Sequence, residues 1–376
     1  MSKILIISNV PWNSLKQRPH FIAELLAKKY EVIFFDPPGS FPKRLISKNI
    51  IKREAGQILL IRHNRLMPFR PIFGSIHLIK MNRVLNEQFM KSYLNPNDDY
   101  VVITENYMYF DYARLRDLFH IKKIIYDCVD LMEFFDPHNK KFRLFFEKQL
   151  VETADHIMVV SGELEEKFRN FSNKVVRISN GVDFYKFQKV MDSNRDDIKK
   201  DVRRGFDNVL GYVGAIEEWF DFGALEILLE QRLDTRIVLI GIIGKKVLKK
   251  YFELHSKFGD RMEYIGSIHH DLLPFYIKYF DFGLIPFDLK HPVVRGINPI
   301  KLQEYFAMGK SVIANVWEEV SPFHDNKKLI DFETYSEKRF EIEKSLGQEA
   351  LREKIAIAQS NSWAIKIQQI IDLIER

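Results

Sequence analysis

Short apolar runs of strand length alternate with helix-length amphipathic segments along most of the chain, and this alternation restricts the fold more than any other feature of the sequence. The runs of the first half are KILIIS, EVIFFD, QILLIR, YVVIT, KKIIYDCVD and HIMVVS. The runs of the second half are NVLGYVGAI, RIVLIG, RMEYIG, FGLIPF and SVIAN. Alternating strands and helices predict parallel sheets joined by right-handed helical crossovers. We therefore expect an α/β protein.

The chain is longer than one ordinary domain. With 376 residues it fits two domains of about 180 residues each. Between the two sets of strands lies the polar run MDSNRDDIKKDVRRG, at residues 191–205. Its dense charge is typical of an exposed segment, and we predict a linker there.

Bulk composition favours a folded protein of a reducing compartment. Hydrophobic residues make up 46% of the chain and charged residues 29%, which are ordinary values for a globular protein. Cys128 is the only cysteine, so no disulfide can form within the chain. The first residues, MSKILIISNV, are typical of a strand rather than a signal peptide, and no apolar run reaches the roughly 20 residues of a membrane span. We expect a cytoplasmic protein, with peripheral attachment to the inner face of the cell membrane as the alternative.

Positive charge is concentrated at the front of the chain. The net charge is +6, but residues 1–190 hold 30 Lys and Arg against 21 Asp and Glu, and the first 91 residues hold 16 against 5. Such asymmetry predicts an anionic partner for the N-terminal half, such as a membrane surface or a diphospholipid. Residues 62–91 mix aromatic and basic side chains, which fits either an interfacial helix on anionic lipid or a core-facing helix with a charged outer stripe. Nucleic acid is not expected as a partner, because no recognised motif accompanies the charge.

The most informative single stretch is NPIKLQEYFAMGKSVIANV, at residues 298–316. Asn-Pro favours a turn, an amphipathic helix follows it, Gly309 ends the helix, and SVIAN is a short buried strand. The helix carries Lys301 and Glu304 on one face. A helix N-terminus and a lysine attract phosphate, and a carboxylate can accept hydrogen bonds from both ribose hydroxyls. The stretch therefore fits a nucleotide site, and an ordinary surface ion pair on a helix is the alternative.

This stretch also resembles a known family motif. Its pattern P-x-K-x-x-E-Y-x-A-x-G-x-x-V resembles the donor motif of the retaining "group 1" (family-4-like) glycosyltransferases of the GT-B fold. Two other patterns, Q-R-P-H-x-x-A-x-x-L-A from Gln17 and Y-x-G-x-I-x-x-W-F-D from Tyr212, are similar to bacterial teichuronic-acid and related surface-polysaccharide glycosyltransferases.

The resemblance implies a GT-B architecture, in which two Rossmann-like domains with parallel sheets face a central cleft. Residues 1–186 would form the N-terminal acceptor domain and residues 187–358 the C-terminal donor domain for the nucleotide sugar. A helix at residues 359–376 would cross back to the N-terminal domain.

The resemblance also implies which residues hold the donor. Glu304 would bind the ribose, Lys301 would lie near the diphosphate, and the loop that begins at Gly266 would meet the nucleobase. The full predicted set of donor-binding residues is Gly214, Gly266, Ser267, Ile268, His269, Asn298, Lys301, Leu302 and Glu304.

The sequence departs from the family pattern in two places. The wider class carries E-x7-E, and the first of these carboxylates falls at Gly296 in this chain. Many relatives carry a basic pair where Glu217 and Glu218 stand. Phosphate charge must then be offset by Lys301, Arg295 and backbone amides.

The acceptor side is expected at the carboxyl ends of the N-terminal strands, where open parallel sheets bind ligands. Arg18 and His20 follow the first strand, and they are either contacts for acceptor or phosphate or simply a surface charge and a core residue. Asp127 and Asp130 end the fifth predicted strand. We assign Asp130 to the acceptor and Asp127 to structure, with helix capping as the alternative. The predicted catalytic residues are Asp130, Arg295 and Lys301.

No metal or other cofactor is predicted. Asp127 and Asp130 form D-x-x-D rather than the D-x-D that binds metal in the GT-A class. The adjacent His269 and His270 point in different directions and lack partners at metal-ligand spacing. Helix dipoles and basic side chains can offset the diphosphate charge without a metal ion.

These observations predict a retaining glycosyltransferase. The donor would be a UDP-linked or other nucleotide diphosphate sugar, and the acceptor a glycan or lipid-linked glycan of a bacterial surface polysaccharide. A nucleotide-sugar epimerase of the same fold and a catalytically silent GT-B scaffold remain as alternatives. A nicotinamide oxidoreductase is disfavoured, because the glycine fingerprint of dinucleotide sites is absent.

Overall fold

A computed structural model describes residues 2–38, 49–54, 58–64, 76–135, 139–326, 328–336 and 347–376. The chain divides into two compact units. Unit 1 comprises Met1–Ile178 and Ile367–Arg376, and unit 2 comprises Ser179–Lys366. The domain boundary predicted after residue 186 therefore lies inside unit 2, and the last ten residues of the chain group with unit 1.

Unit 1 is built on an eight-stranded sheet with the order β3-β4-β2-β1-β5-β6-β7-β8. Its strands are β1 (Lys3–Ile7), β2 (Val32–Asp36), β3 (Ile50–Glu54), β4 (Ile58–Arg62), β5 (Asp99–Thr104), β6 (His120–Cys128), β7 (His156–Val159) and β8 (Val175–Arg177). All neighbours are parallel except β3, which runs antiparallel to β4. β1 and β2 are buried almost throughout, as strands of a sheet covered on both faces must be.

The helices of unit 1 follow the strands in βα order. They are α1 (Arg18–Leu26), α2 (Ile76–Lys91), α3 (Tyr112–Leu118), α4 (Lys140–Thr153) and α5 (Gly162–Lys167). Asp111 and Ser161 cap α3 and α5 by accepting a hydrogen bond from a backbone amide in the first turn. Part of the predicted basic aromatic segment, residues 65–75, lies outside the described residues, and residues 76–91 form α2.

Unit 2 is built on a six-stranded parallel sheet with the order β11-β10-β9-β12-β13-β14. Its strands are β9 (Asn208–Val213), β10 (Thr235–Ile240), β11 (Met262–Gly266), β12 (Phe282–Ile285), β13 (Ser311–Ala314) and β14 (Leu329–Ile330). Its helices are α6 (Phe184–Gln188), α7 (Asp196–Arg203), α8 (Phe222–Gln231), α9 (Leu248–Phe258), α10 (Leu273–Lys278), α11 (Ile300–Ala307), α12 (Ser321–Asp325) and α13 (Gln348–Ser360). The parallel α/β architecture predicted from the strand–helix alternation is thus present in both units.

The linker predicted at residues 191–205 is wrong over most of its length, because α7 occupies residues 196–203. Ile198 and Val202 lie four residues apart and are 3% and 0% exposed, so one helical face joins the core. Asp196 and Asp197 lie in the first turn and Arg203 lies in the last, where their charges interact favourably with the helix dipole and stabilise the helix. The dense charge belongs to the solvated face of a helix.

A final helix, α14 (Trp363–Glu375), ends the chain. Its last turns are bound into unit 1, where the Lys123 ammonium donates to the carbonyls of Leu373 and Ile374 at 2.8 and 3.2 Å. The Tyr30 hydroxyl donates to the Glu375 carboxylate at 2.7 Å. Across the described ranges, no helix is both long enough and apolar enough to cross a bilayer.

Candidate functional site

The helix α11 is fixed to the sheet of unit 2 by one buried tyrosine. The Tyr305 hydroxyl accepts a hydrogen bond from the Val213 amide at 3.1 Å and lies 3.0 and 3.3 Å from the carbonyls of Gly211 and Leu284. It therefore bridges β9 and β12. Gly283 makes room for the ring, since a Cβ at that position would lie 2.3 Å from Tyr305 Cδ2. The tyrosine of the family-like motif is thus a structural anchor, and it sets the height of α11 over the sheet.

Lys301, one turn before this anchor, lies between two aromatic rings. Its Nζ is 4.5 Å from the ring centroid of Tyr212 and 4.6 Å from that of Phe287, and it donates to the Tyr212 hydroxyl at 3.1 Å. Within the described residues no carboxylate forms an ion pair with it. Burial lowers the pKa of Lys301 to about 7, although the charge of Glu304 acts to raise it. An anion that reached this ammonium would stabilise its charged form.

Gly214 lies directly against Lys301. Its φ of +131° is a backbone conformation that other residues rarely adopt, and a Cβ there would lie 3.0 Å from Lys301 Nζ. The glycine therefore serves both the turn after β9 and the space around the lysine.

Glu304 is 7% exposed and belongs to a polar chain that runs through His270. His270 Nε2 lies 3.3 Å from Glu304 Oε1, and His270 Nδ1 lies 3.0 Å from Lys186 Nζ. Lys186 also forms an ion pair with Asp271, and this pair lowers the pKa of Asp271. Since an ammonium can only donate, Nδ1 of the imidazole accepts and Nε2 donates to Glu304. The histidine therefore orients the carboxylate that was predicted to bind ribose.

The sequence prediction had placed His269, not His270, in the donor site. His269 is exposed, and its Nδ1 accepts a hydrogen bond from the Asp271 amide at 3.3 Å. Gly266 has a φ of +91°, Ser267 is exposed and Ile268 is half-buried. The contact of this loop with a nucleobase stays a prediction. His270 was missed because a histidine pair in the sequence does not reveal which ring faces α11.

Asn298 and Leu302 hold the local structure together. Asn298 accepts from the Asn180 amide at 3.0 Å through Oδ1 and donates to Glu319 at 2.7 Å through Nδ2. Leu302 is 2% exposed and its side chain packs in the core, and its predicted contact with the donor stays a prediction. Arg295 is exposed on the 3-10 turn Pro292–Gly296 that precedes α11.

In unit 1, Arg18 and Asp127 form a buried ion pair. Arg18 Nε donates to both oxygens of Asp127 at 2.9 and 3.1 Å, and the two residues are 3% and 1% exposed. Burial raises the pKa of Asp127, whereas the Arg18 charge opposes this shift. Asp127 was predicted to have a structural role, and this ion pair is consistent with one. Arg18, which was predicted to contact the acceptor, binds this carboxylate instead.

His20 holds the turn between β1 and α1. Its Nδ1 accepts from the Gln17 amide at 3.0 Å, and its Nε2 donates to the Pro11 carbonyl at 3.1 Å. Burial lowers its pKa, which keeps the ring neutral. Both ring nitrogens are hydrogen-bonded within the chain. The geometry therefore supports a structural role for His20 rather than the predicted contact with an acceptor.

Asp130 differs from these residues, because its carboxylate has no hydrogen-bond or ion-pair partner in the part of the chain that the structure describes. It lies just after β6 and is half-buried. Burial raises its pKa to about 7. A carboxyl group in this state can orient or exchange a proton with a bound hydroxyl near neutral pH.

Glu105 was missed by the sequence reasoning, although it directly follows β5, at the same end of the sheet as Asp127 in β6. It is 7% exposed and accepts from the Ser8 hydroxyl and the Asn9 amide, both at 3.3 Å. Burial and the neighbouring Asp127 charge raise its pKa to about 8. The sequence did contain a signal for it, because an acidic residue directly follows the buried run YVVIT. Such a residue lies at the carboxyl end of a strand, where open parallel sheets bind ligands.

Within the described residues, no group of three or more His, Cys, Asp and Glu side chains is arranged to hold a metal ion. The prediction that no metal is required stays a prediction.

Comparison with known proteins identifies the fold. No family model and no curated protein matches the chain. Solved structures match it over its full length at low sequence identity. HepE from Anabaena, in complex with UDP and glucose, has 14% identity and a TM-score of 0.67, with both chains covered completely. An α,α-trehalose-phosphate synthase (UDP-forming) from Burkholderia xenovorans, in complex with glucose-6-phosphate, has 11% identity and a TM-score of 0.72, with 100% of each chain covered.

A glycosyltransferase from Rickettsia africae has 16% identity and a TM-score of 0.67, with 99% of this chain and 97% of that chain covered. These similarities confirm the predicted GT-B fold, with its two parallel-sheet domains.

Proposed function

We propose that this protein is a glycosyltransferase that binds a nucleotide diphosphate sugar in unit 2, with a UDP-linked sugar as the first candidate. The observation that carries the proposal is the placement of Lys301 and Glu304 on one anchored helix. The lysine lies in an aromatic cage without a carboxylate partner among the described residues, and the carboxylate is aimed by His270. The solved complexes of HepE with UDP and with UDP-glucose support the choice of nucleotide, since they share the fold.

In the proposed donor complex Glu304 accepts hydrogen bonds from the ribose hydroxyls. Lys301 and the exposed Arg295 offset the charge of the diphosphate, and Gly214 allows the backbone to approach it closely. The loop that begins at Gly266 meets the nucleobase. Charge develops on the leaving phosphate as the glycosidic bond breaks, so cations held in place before the reaction stabilise the transition state most.

We propose retention of anomeric configuration. The bond between the anomeric carbon and the phosphate oxygen breaks, and the acceptor oxygen forms its new bond on the same face of the sugar. The acceptor proton passes to the leaving phosphate oxygen. This route needs no strong protein base, and the carboxylate of the donor helix, Glu304, is already hydrogen-bonded to His270.

The acceptor side is proposed for unit 1, where Asp130 orients the acceptor hydroxyl. Its raised pKa and the absence of a partner among the described residues support this role. Arg18 supports the site indirectly, by neutralising Asp127. The proposed acceptor is a glycan or lipid-linked glycan of a bacterial surface polysaccharide, an assignment that rests on the sequence resemblance.

Gly296 favours one second candidate, a nucleotide-binding scaffold without turnover. The wider family pattern places a carboxylate at this position, whereas the glycine is buried in the turn before α11. A scaffold would bind nucleotide as tightly as an enzyme but would not consume the sugar donor.

The test is a calorimetric titration of UDP, GDP and ADP into the full-length protein and into Glu304→Ala, with Glu318→Ala as an exposed acidic control. Loss of the ribose contact is expected to weaken binding by about 1–3 kcal/mol. A preference for one nucleotide that is lost only in Glu304→Ala supports the donor site. Absence of binding by every nucleotide would contradict it. Binding without release of UDP from UDP-glucose, with or without glycan acceptors, would favour the scaffold.

A further inference from the structure

The outer face of α4 exposes large apolar side chains between lysines. Leu144 and Phe145 are 39% and 49% exposed, and Lys141 and Lys148 flank them at helical spacing, so the four form one outward stripe. The opposite face of α4 carries the buried Phe146 and Leu150. The helix therefore has a satisfied inner face, and its outer stripe has no structural task within unit 1.

The charge of this stripe is almost entirely positive. Lys140 and Lys141 begin the helix, and Lys148 is 72% exposed on its side chain. Glu147 is 5% exposed and accepts from Lys167 and Tyr126, so its charge is not presented on the surface. Glu152, which lies 3.7 Å from Lys148, is the exposed carboxylate of this helix, so three exposed lysines stand against one exposed acidic side chain on the described α4.

The neighbouring helix α2 extends the same kind of surface. Arg83 of α2 donates to Gln149 of α4 at 3.2 Å, and its guanidinium lies 4.5 Å from the Phe146 ring centroid, so this arginine connects the two helices. The exposed positions of α2 include Lys80, Met81, Val84 and Lys91, with Met81 and Val84 at 40% and 38%. The carboxylate of this helix, Glu87, is buried and paired with Arg114.

We propose that the outer stripes of α4 and α2 form a docking face for an anionic lipid bilayer. Lysines around exposed apolar side chains match the two layers of such a surface: the ammonium groups meet lipid phosphates, and Leu144 and Phe145 enter the boundary between headgroups and acyl chains. An anionic soluble protein would match the lysines alone. The apolar side chains at the centre of each stripe are what favour lipid.

The face also has a defined position relative to Asp130. The turn Met132–Phe134 follows this residue closely, α4 packs against the turn, and the Lys140 ammonium lies 4.6 Å from the Phe134 ring centroid. A bilayer bound at α4 would thus lie next to the proposed acceptor carboxyl. This consequence rests on the proposed acceptor class, whereas binding to the bilayer does not depend on it.

The experiment is co-sedimentation of the full-length protein with phosphatidylcholine vesicles, with and without phosphatidylglycerol. We expect retention on the phosphatidylglycerol vesicles at low salt and release at high salt. Leu144→Ser/Phe145→Ser and Lys141→Glu/Lys148→Glu are each expected to lower the partition coefficient by about tenfold or more, because both the apolar and the charged contributions are required.

A matched control exists on α9. Leu248 and Phe252 are 37% and 54% exposed and stand beside Lys245 and Lys249, so Leu248→Ser/Phe252→Ser makes the same chemical change on a similar surface of unit 2. Because α9 presents side chains of the same kind, this variant shows whether vesicle binding belongs to the α4 face. The proposal requires it to bind vesicles like the wild-type protein, and loss of binding here with the α4 variants unchanged would place the bilayer on α9 instead. The proposal is overturned if the wild-type protein does not bind anionic vesicles, or if the α4 variants bind them with the wild-type partition coefficient.

Two further measurements distinguish lipid binding from unfolding and from self-association. UDP titration and circular dichroism of the α4 variants must match the original protein, so that loss of vesicle binding is not loss of folding. Sedimentation velocity shows whether the face instead joins two copies of the chain. If the wild-type protein does not bind vesicles but forms a dimer that the α4 substitutions dissociate, the partner of this face is a second copy of the chain and not a bilayer.

Discussion

The imidazole of His270 connects Glu304 to Lys186: Nε2 lies 3.3 Å from the Glu304 carboxylate, and Nδ1 lies 3.0 Å from the Lys186 ammonium. The ammonium fixes the tautomer, and the tautomer determines which atom the carboxylate meets. Glu304 is therefore held in place by a residue outside its own helix. Because His270 occupies Oε1, the proposed contact with ribose falls to the other oxygen of Glu304.

Removal of this support should weaken nucleotide binding without changing the fold. We expect His270→Ala to weaken UDP binding by about 1 kcal/mol, or about fivefold in Kd, because one hydrogen bond to a charged acceptor is lost. His270→Gln, which retains an N–H donor, should restore part of it. His269→Ala tests the neighbouring ring, and an equal loss in that variant would show that the predicted His269 contact matters more.

The pKa of Lys301 predicts how donor affinity depends on pH. The folded pKa is about 7, below the ordinary lysine value of 10.5, so the side chain is charged below pH 7 and neutral above it. A diphosphate binds the charged form, and the two phosphates of UDP-glucose do not titrate in this range. Affinity should be greatest below pH 7 and fall as pH rises, by up to about tenfold per pH unit. Calorimetric titration of UDP-glucose at several pH values measures this dependence. Lys301→Met should bind UDP-glucose weakly, and its affinity should not change with pH in this way.

Two glycines separate backbone strain from loss of the lysine site. Gly214 and Gly205 both have positive φ, at +131° and +86°, but only Gly214 has Lys301 against the position of a Cβ, whereas nothing lies within 4 Å of one at Gly205. Both Gly→Ala changes should lower stability by about 1 kcal/mol or more. Only Gly214→Ala should also weaken UDP binding. Equal UDP affinity of the two variants would contradict the proposed contact of this turn with the donor.

The pair of Arg18 and Asp127 should contribute to stability mainly through the cost of breaking it. Arg18→Met leaves a buried carboxylate without its cation, and we expect a loss of about 3–5 kcal/mol in the free energy of unfolding. Arg18→Met/Asp127→Leu should lose much less, since no charge remains buried. Lys29→Met, which breaks the exposed pair with Glu375, should leave the free energy of unfolding almost unchanged. Urea unfolding of these variants measures all three values.

The sequence predicted the features that periodicity and glycine placement determine. The buried runs became central strands, and the helix with Lys301 and Glu304 formed at Ile300–Ala307. Edge strands were harder. Strand β3, IIKRE, lies at the edge of the described sheet and leaves Ile51 44% exposed. Its sequence therefore does not need the continuous apolar run of a central strand. The helix α7 was missed because two buried residues suffice to dock it.

Side-chain pairing between distant parts of the chain was beyond sequence reasoning. Arg18 and Asp127 are 109 positions apart, and His270 and Glu304 are 34 apart. Which carboxylate meets which cation depends on sheet order, and the sequence alternation does not specify that β1, β5 and β6 are adjacent. The same limit explains why Glu105 was missed. Its role becomes visible only when the fold places it next to Ser8 and Asp127, at the carboxyl ends of the strands.

The ring of Tyr305 and the bare backbone of Gly283 have a consequence for protein engineering. The helix α11 fits this sheet because Gly283, twenty-two positions before Tyr305 in the sequence, has no side chain where the ring inserts. Transfer of the helix sequence alone onto another Rossmann-like scaffold would therefore carry over the lysine and the glutamate but not their placement. The smallest transferable module includes β12 together with α11, and the two must be exchanged as one.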